Sequence, residues 1–279
     1  MTILDAIHDE KLFRPLFKDL ATWNSWLIVL KAIFALPMDE TERTVFTSLT
    51  GRTTPPATQV RESWWVIGRR GGKSLIVALV AVFLACFFDY RPFLGPGEIG
   101  VVMVISTDRK QSRVIMRYLT AILNSVPMLR AMIVRQDSES IELNNGIAIE
   151  ITTASYRTIR GYTVVAALCD EIAFWRSEDS ANPAEEIMAA IIPAMSTIPG
   201  AMLIALGTPY KRSGPLYDAY RQHYGQDSPV LVIQADTRTM NPGVPQSVID
   251  RAIETDPIAA RPNTLRSSEA MWAASSIAT

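Results

Sequence analysis

The sequence predicts an α/β fold: a mainly parallel central sheet flanked by helices, with a small appendage. Three observations carry that expectation. The first is Val66-Ile67-Gly68-Arg69-Arg70-Gly71-Gly72-Lys73-Ser74, a strand that empties into a glycine-rich loop and leads to the apolar helix Leu75 to Phe88. The second is the run from Val164 to Cys169, apolar throughout and followed by Asp170 and Glu171. An uninterrupted run of that kind is the pattern of a strand buried on both faces, as in a parallel sheet. The third is the alternation of strand-length apolar runs with stretches of helical periodicity along the chain.

The glycine loop has the parts of a polyphosphate grip. Its glycines let backbone N–H groups close round phosphate oxygens, Lys73 reaches the β/γ-phosphates, and the Ser74 hydroxyl takes a place on Mg²⁺. The helix behind it adds a favourable dipole. The spacing departs from G-x-x-x-x-G-K-[ST], because Ile67 stands where that pattern asks for glycine. Taken alone, the loop also reads as a basic surface turn. Asp170 and Glu171 stand where open α/β sheets place their ligands, at the C-terminal end of a strand. Asp170 would hold Mg²⁺ directly or through water; Glu171 would accept a proton from the attacking water, or orient it. The plainer reading of the two acids is the first turn of a helix. The two motifs in this order point to a nucleotide polyphosphate held with Mg²⁺.

The other elements follow in order. Residues up to about Phe46 carry helical periodicity, with Trp23, Trp26, Leu27, Leu30, Ile33 and Phe34 on one broad apolar face. That stripe reads as core packing, with a place near an adenine ring as the alternative. Thr53-Thr54-Pro55-Pro56 breaks the chain before a strand around Glu62 to Ile67. After the turn Gly95-Pro96-Gly97, Ile99 to Ser106 is a buried strand and Thr107 to Leu123 a helix capped by Thr107 or Asp108. Ile133 to Val134, Ser140 to Leu143 and Ala148 to Thr152 are short strands, the last two joined by the hairpin turn Asn144-Asn145-Gly146. A helix begins near Pro183, and Ala201 to Leu206 is another buried strand, ending in Gly207-Thr208-Pro209. Thr208, just beyond that strand, would lie near the γ-phosphate and sense hydrolysis; a simple chain turn is the other reading. Val230 to Ala235 is the last strand, before the Asn241-Pro242 loop and a helix from Gln246 to about Glu254.

Composition sets bounds. A chain of 279 residues with 48% hydrophobic content accommodates one large α/β domain and a small appendage. A net charge of −1 excludes a molecule that is basic overall, so any DNA contact needs a local patch or several subunits round the duplex. Arg109, Lys110, Arg113 and Arg117 form such a stripe, or equally a solvated helix face. The two cysteines, Cys86 and Cys169, lie in apolar runs and read as buried thiols of a reducing compartment. With only His8 and His223 and no cysteine pair, a zinc site is not expected. The apolar helix is too short to span a bilayer, and the N-terminus is no signal peptide; the chain is expected to be cytosolic, away from the membrane.

Together these motifs resemble the ATPase domain of tailed-bacteriophage terminase large subunits, the motors that pump DNA into procapsids. The resemblance runs from about Phe13 to Ala260. Gly68 to Ser74 is similar to the family's deviant phosphate loop, in which an arginine precedes the Gly-Lys pair. The strand ending in Asp170-Glu171, continued by Ile172-Ala173-Phe174-Trp175, resembles its acidic strand, and Ala205-Leu206-Gly207-Thr208-Pro209 its coupling motif. Ser106-Thr107 with the following helix resembles a helicase-type element that touches DNA. Thr158-Ile159-Arg160-Gly161 is similar to the Arg-Gly turn before the acidic strand.

The resemblance implies an ASCE/RecA-like fold and assigns roles. Gly68, Arg69, Arg70, Gly71, Gly72 and Lys73 would hold the nucleotide's phosphates, Ser74 and Asp170 the magnesium, and Glu171 would be the catalytic carboxylate. Arg69 would stabilise transition-state charge within the subunit. Arg160 is a candidate finger reaching a neighbour's ATP in a ring, or else a surface ion pair. Thr208 would couple ATP state to the lid. Implied partners are double-stranded DNA, the portal of a procapsid, a terminase small subunit and further copies in a homo-oligomeric ring, with a monomer in isolation. The implied segments are 1–50, helices packed on the core; 51–228, the ATPase core; 229–260, the last strand and lid; and 261–279, an irregular tail. The family's usual RNase H-like nuclease domain has no counterpart in that tail, so nuclease activity is expected to be absent. Read one nucleotide earlier, suitable codons for the tail spell Ala-Glu-Tyr-Leu-Ala-Glu-Phe-Arg-Ser-Asp, which resembles the family's continuation; a frameshift near Arg261 is therefore expected. Three classes stay open: a DNA-packaging motor domain, a helicase-like ATPase acting without a capsid, and a non-enzymatic prophage remnant.

Overall fold

The computed structural model describes residues 1–154, 159, 161–175, 183–210, 212–256 and 260; Arg160 and the tail 261–279 lie outside them. Its strands are β1 (Glu62–Ile67), β2 (Gly100–Ser106), β3 (Ile133–Gln136), β4 (Ser140–Leu143), β5 (Ile147–Thr153), β6 (Thr163–Cys169), β7 (Met202–Gly207) and β8 (Val230–Ala235). They form one eight-stranded sheet in the order β3-β4-β5-β2-β6-β7-β1-β8. The pairs β1–β8, β2–β5, β2–β6 and β6–β7 are parallel, whereas β3–β4 and β4–β5 are antiparallel. Every residue of β2 and β7 is buried, which is why these strands read as unbroken apolar runs. The short edge strand β3 is mostly exposed.

The chain divides into two compact units, Met1–Lys18 with Ser74–Ala205, and Asp19–Lys73 with Leu206–Thr279. In the first, the helix α1 (Ile3–His8) starts at a Thr2/Asp5 capping box. The second unit holds α2 (Asn24–Ile33) and α3 (Glu40–Thr50). α4 (Lys73–Phe87) begins at the end of that unit and continues into the first, starting two residues before Leu75, where the sequence places its onset. Between Ile76 and Ala85 no side chain is more than 2% exposed, so α4 is a core helix, apolar all round. Phe87 closes its end by stacking on Phe83 at 5.2 Å and meeting Phe13 edge-on at 5.9 Å. α5 (Arg109–Ser125) is amphipathic: Ile115, Met116, Leu119, Ile122 and Leu123 are buried, while Arg109, Lys110, Arg113 and Arg117 are exposed. Its cap is Asp108, which settles the choice left open between Thr107 and Asp108. A short helix α6 (Pro127–Arg130) leads to β3, and Asn145 secures the β4–β5 hairpin by donating to the Ala85 carbonyl at 2.8 Å. α7 (Pro183–Met195) precedes β7.

The helical stretch expected up to about Phe46 is broken by 3-10 turns, at Arg14–Leu16 in the first unit and at Leu20–Trp23 in the second. On α2, Trp26, Leu30 and Ile33 are buried as expected, but so are Ile28, Val29 and Ala32, whereas Trp23, Leu27 and Phe34 are half-buried. Trp26 meets Trp65 of β1 edge-to-face at 5.3 Å. α3 has an Asp39/Glu42 capping box and ends at the left-handed Gly51. α8 (Pro215–His223), which is not among the elements expected although Pro215 stands at its first position, packs near β1 and β8. α9 (Thr237–Met240) and α10 (Gln246–Thr255) complete the described chain. Cys169 is buried, while Cys86 is only half-buried, a partial departure from the expected pair of core thiols. No helix among the described residues is long and apolar enough to cross a membrane.

Candidate functional site

The glycine loop belongs to the second unit, and its backbone is held by side chains distant in sequence. β1 ends at Ile67, and the Gly68 N–H donates to the Ala235 carbonyl at 3.1 Å. Trp26 Nε1 donates to the Gly71 carbonyl at 2.7 Å, Thr237 Oγ1 to the Arg69 carbonyl at 2.8 Å and Asn241 Nδ2 to the Arg70 carbonyl at 2.9 Å. Both glycines before the lysine are needed, for different reasons. A Cβ on Gly71 would lie 2.8 Å from Ile67 Cγ2 and 3.1 Å from the Gly68 oxygen. Gly72 has φ +89°, and a Cβ there would also press on Trp23 at 3.0 Å. Trp23 and Trp26, both of the expected aromatic stripe, thus serve the loop as well as the core.

Lys73 is 6% exposed. Its Nζ donates to the carbonyls of Ile67 at 2.9 Å and Gly68 at 3.3 Å, and to Thr208 Oγ1 at 3.1 Å. Thr208, 3% exposed just past β7, is thereby in direct contact with the loop lysine. The side chains of Arg69 and Arg70 are exposed.

The acids belong to the first unit. Asp170 follows β6, is 1% exposed, and donates its N–H to the Ile105 carbonyl at 2.7 Å. Trp175 Nε1 returns to the Asp170 carbonyl at 2.9 Å, tying down the turn. Gln111 Nε2 donates to Asp170 Oδ2 at 2.8 Å and reaches Ser74 Oγ at 3.4 Å. Gln111 is itself placed by Asp108, whose Oδ1 accepts from the N–H groups of Lys110 and Gln111 at 2.7 and 2.9 Å. Burial, with the Asp170 charge beside it, pushes the Cys169 thiol well above the usual range. Glu171 is half-buried and left-handed, with φ 50° and ψ 44°. Three non-glycine residues among those described have positive φ, and two of them, Arg70 and Glu171, lie at these two motifs. Strain of this kind collects where function requires a fixed direction.

Each unit therefore assembles part of the expected constellation: Gly68 to Lys73 with Thr208 in one, and Ser74, Asp170 and Glu171 in the other. Arg160 lies outside the described residues. The donor chemistry of Ser74 and Asp170 fits Mg²⁺. A hydroxyl and a carboxylate oxygen both reach one point, the Gln111 amide nitrogen, and this ion takes few protein oxygens and fills its shell with water and phosphate. The reading from sequence missed Gln111 and Thr237, and the bracing roles of Trp26, Trp175 and Asn241. Asp108 as an N-cap was the one local signal near Gln111.

No protein-family model matches the chain, and no curated protein matches it. Solved structures do. The large terminase of bacteriophage HK97 is 16% identical with a TM-score of 0.54, over 83% of this chain and 50% of that one. The large terminase ATPase domain of Thermus phage P74-26 is 13% identical with a TM-score of 0.52, over 84% of this chain and 95% of that one. A mutant of that domain gives 12% identity, a TM-score of 0.53 and the same coverage, 84% and 95%. At such identities the likeness is one of fold: this chain has the P-loop NTPase fold, and shares it with phage large terminase ATPase domains. It spans half the length of the HK97 protein.

Proposed function

We propose that this chain is the ATP-hydrolysing motor domain of a viral terminase large subunit, acting on double-stranded DNA. The observation that carries the proposal is the opening of α4. Its first residue, Lys73, is gathered onto the loop carbonyls and Thr208, and the next, Ser74, is within reach of the amide that also holds Asp170. Consecutive residues thus serve phosphate and metal, as polyphosphate chemistry needs. The fold shared with terminase ATPase domains supports the same reading.

On this reading the Lys73 ammonium exchanges the carbonyls of Ile67 and Gly68 for the β/γ-phosphate oxygens of ATP. Ser74 and Asp170 would hold Mg²⁺, which would supply charge neutralisation for the phosphates. Glu171, set by its left-handed backbone, takes or orients the proton of the attacking water. Arg69 meets the charge that develops on the γ-phosphoryl oxygens, and Arg160 does so for a neighbour's ATP in a homo-oligomeric ring. Thr208, bonded to Lys73, transmits the loss of the γ-phosphate to the segment after β7. The exposed cations of α5 contact DNA phosphates. Portal, procapsid and small subunit are the partners this function needs.

The test is steady-state phosphate release with Mg²⁺ and ATP, with and without double-stranded DNA, on this chain and on Glu171→Gln. Turnover that falls by about 10²–10⁴-fold in the variant is expected, as for loss of a positioned acid–base group. Equal turnover in both removes Glu171 from the mechanism; a folded chain with no nucleotide binding removes the ATPase reading altogether.

A further inference from the structure

We propose that Gln111 is a latch on the magnesium site, a positioning residue that occupies the meeting point of Ser74 and Asp170 until metal arrives. The inference rests on the reading of those two residues as magnesium ligands. Its substance is the direction of the amide. Gln111 presents Nε2, its hydrogen-bearing end, to Asp170 Oδ2 at 2.8 Å, with Ser74 Oγ at 3.4 Å. The partial positive charge of that N–H₂ group stands in for a cation between a carboxylate and a hydroxyl.

Two consequences follow from elementary electrostatics. Without metal, the latch stabilises a carboxylate that is almost wholly buried, because a hydrogen bond to a charged group in such a place is among the stronger ones. With metal, the same N–H₂ group would face a divalent cation and must leave or turn its oxygen inward. Binding therefore has to break the Gln111–Asp170 bond first, and the apparent metal affinity is lowered by the stability of the latched state. The helix start keeps the latch in register, since Asp108 caps α5 through the N–H groups of Lys110 and Gln111. A residue that merely supported the fold would act differently: its loss would weaken both the metal-free protein and the metal site. The latch moves them in opposite directions.

The experiment compares this chain with Gln111→Met, which keeps length but lacks the N–H₂ group, and with Gln111→Ala. The affinity for a fluorescent ADP analogue is titrated once with Mg²⁺ and once with EDTA, and the ratio isolates the metal's contribution. Melting of the metal-free protein is recorded alongside. The expected result for both variants is an unchanged affinity in EDTA and a Mg²⁺-dependent gain about tenfold larger than in the parent. The metal-free melting midpoint is expected to fall by about 3–6 °C. A gain that is unchanged or smaller in the variants overturns the latch while leaving the nucleotide site standing, provided Asp170→Asn abolishes the parent's Mg²⁺ effect. A parent with no Mg²⁺ effect at all overturns the latch and the metal reading together. Nucleotide binding absent even in EDTA also overturns both, and with them the proposed ATPase.

Discussion

Trp26→Phe separates the loop-bracing role of Trp26 from its role in the core. The side chain is fully buried, and its Nε1–H gives the Gly71 carbonyl a bond of 2.7 Å. Phenylalanine keeps most of the apolar contact but leaves that buried carbonyl short of a donor, at a cost of about 1–3 kcal/mol. The smaller ring adds a void worth about 1 kcal/mol. A loss of about 2–4 kcal/mol corresponds to a fall of roughly 4–12 °C in the melting midpoint of a chain this size. Trp65→Phe is the matched control. Trp65 is also fully buried, touches Trp26 at 5.3 Å, and donates at 2.9 Å to Ser63 Oγ instead of to the loop. The two variants are expected to lose comparable stability by thermal melting. Only Trp26→Phe is expected to weaken binding of a fluorescent ADP analogue, by about 3–10-fold, because only it frees the Gly71 peptide. Equal weakening by both variants, or none by Trp26→Phe, would refute the bracing argument.

Three further outcomes are open to direct measurement. Lys73→Ala removes the ammonium gathered on the loop carbonyls and Thr208, and should lower ATP turnover by orders of magnitude in a phosphate-release assay while the fold survives by circular dichroism. Neutralising Arg109, Lys110, Arg113 and Arg117, all exposed, should leave melting unchanged and flatten the salt dependence of duplex binding by about 0.9 in log–log slope for each DNA phosphate that is no longer neutralised. An unchanged slope would mark them as a solvated face. Burial pushes the Cys86 thiol up to about 12, so at pH 8 the folded chain should react with a thiol reagent about 10³-fold more slowly at Cys86 than the unfolded chain does. The sign carries over to stability. A thiol whose value is raised by folding contributes fully below its unfolded value near 9 and loses that contribution as pH rises towards 12, so melting should decline across that window.

What the sequence determined by itself was whatever local pattern can encode. β2, β6 and β7 are buried on both sides, and such strands must be written as continuous apolar runs; their positions were therefore legible to within a residue or two. The hairpin turn at Asn144-Asn145-Gly146 and the glycine loop are likewise local, because backbone conformation there depends on residues that adopt it cheaply. The placement of Asp170 and Glu171 at a strand end belongs to the same class. Tertiary structure alone decided which strands neighbour one another, with β8 beside β1 although the two are far apart in the chain. It decided that Lys73 rests on Thr208, that Trp26, Thr237 and Asn241 hold the loop, and that Gln111 stands between Ser74 and Asp170. Thr237 lies 168 positions from the residue it holds, and Asn241 lies 171. No periodicity reaches across such separations. A threonine at a helix start or an asparagine at a helix end looks the same whether it faces water or a phosphate loop, and only the folded chain gives it a partner.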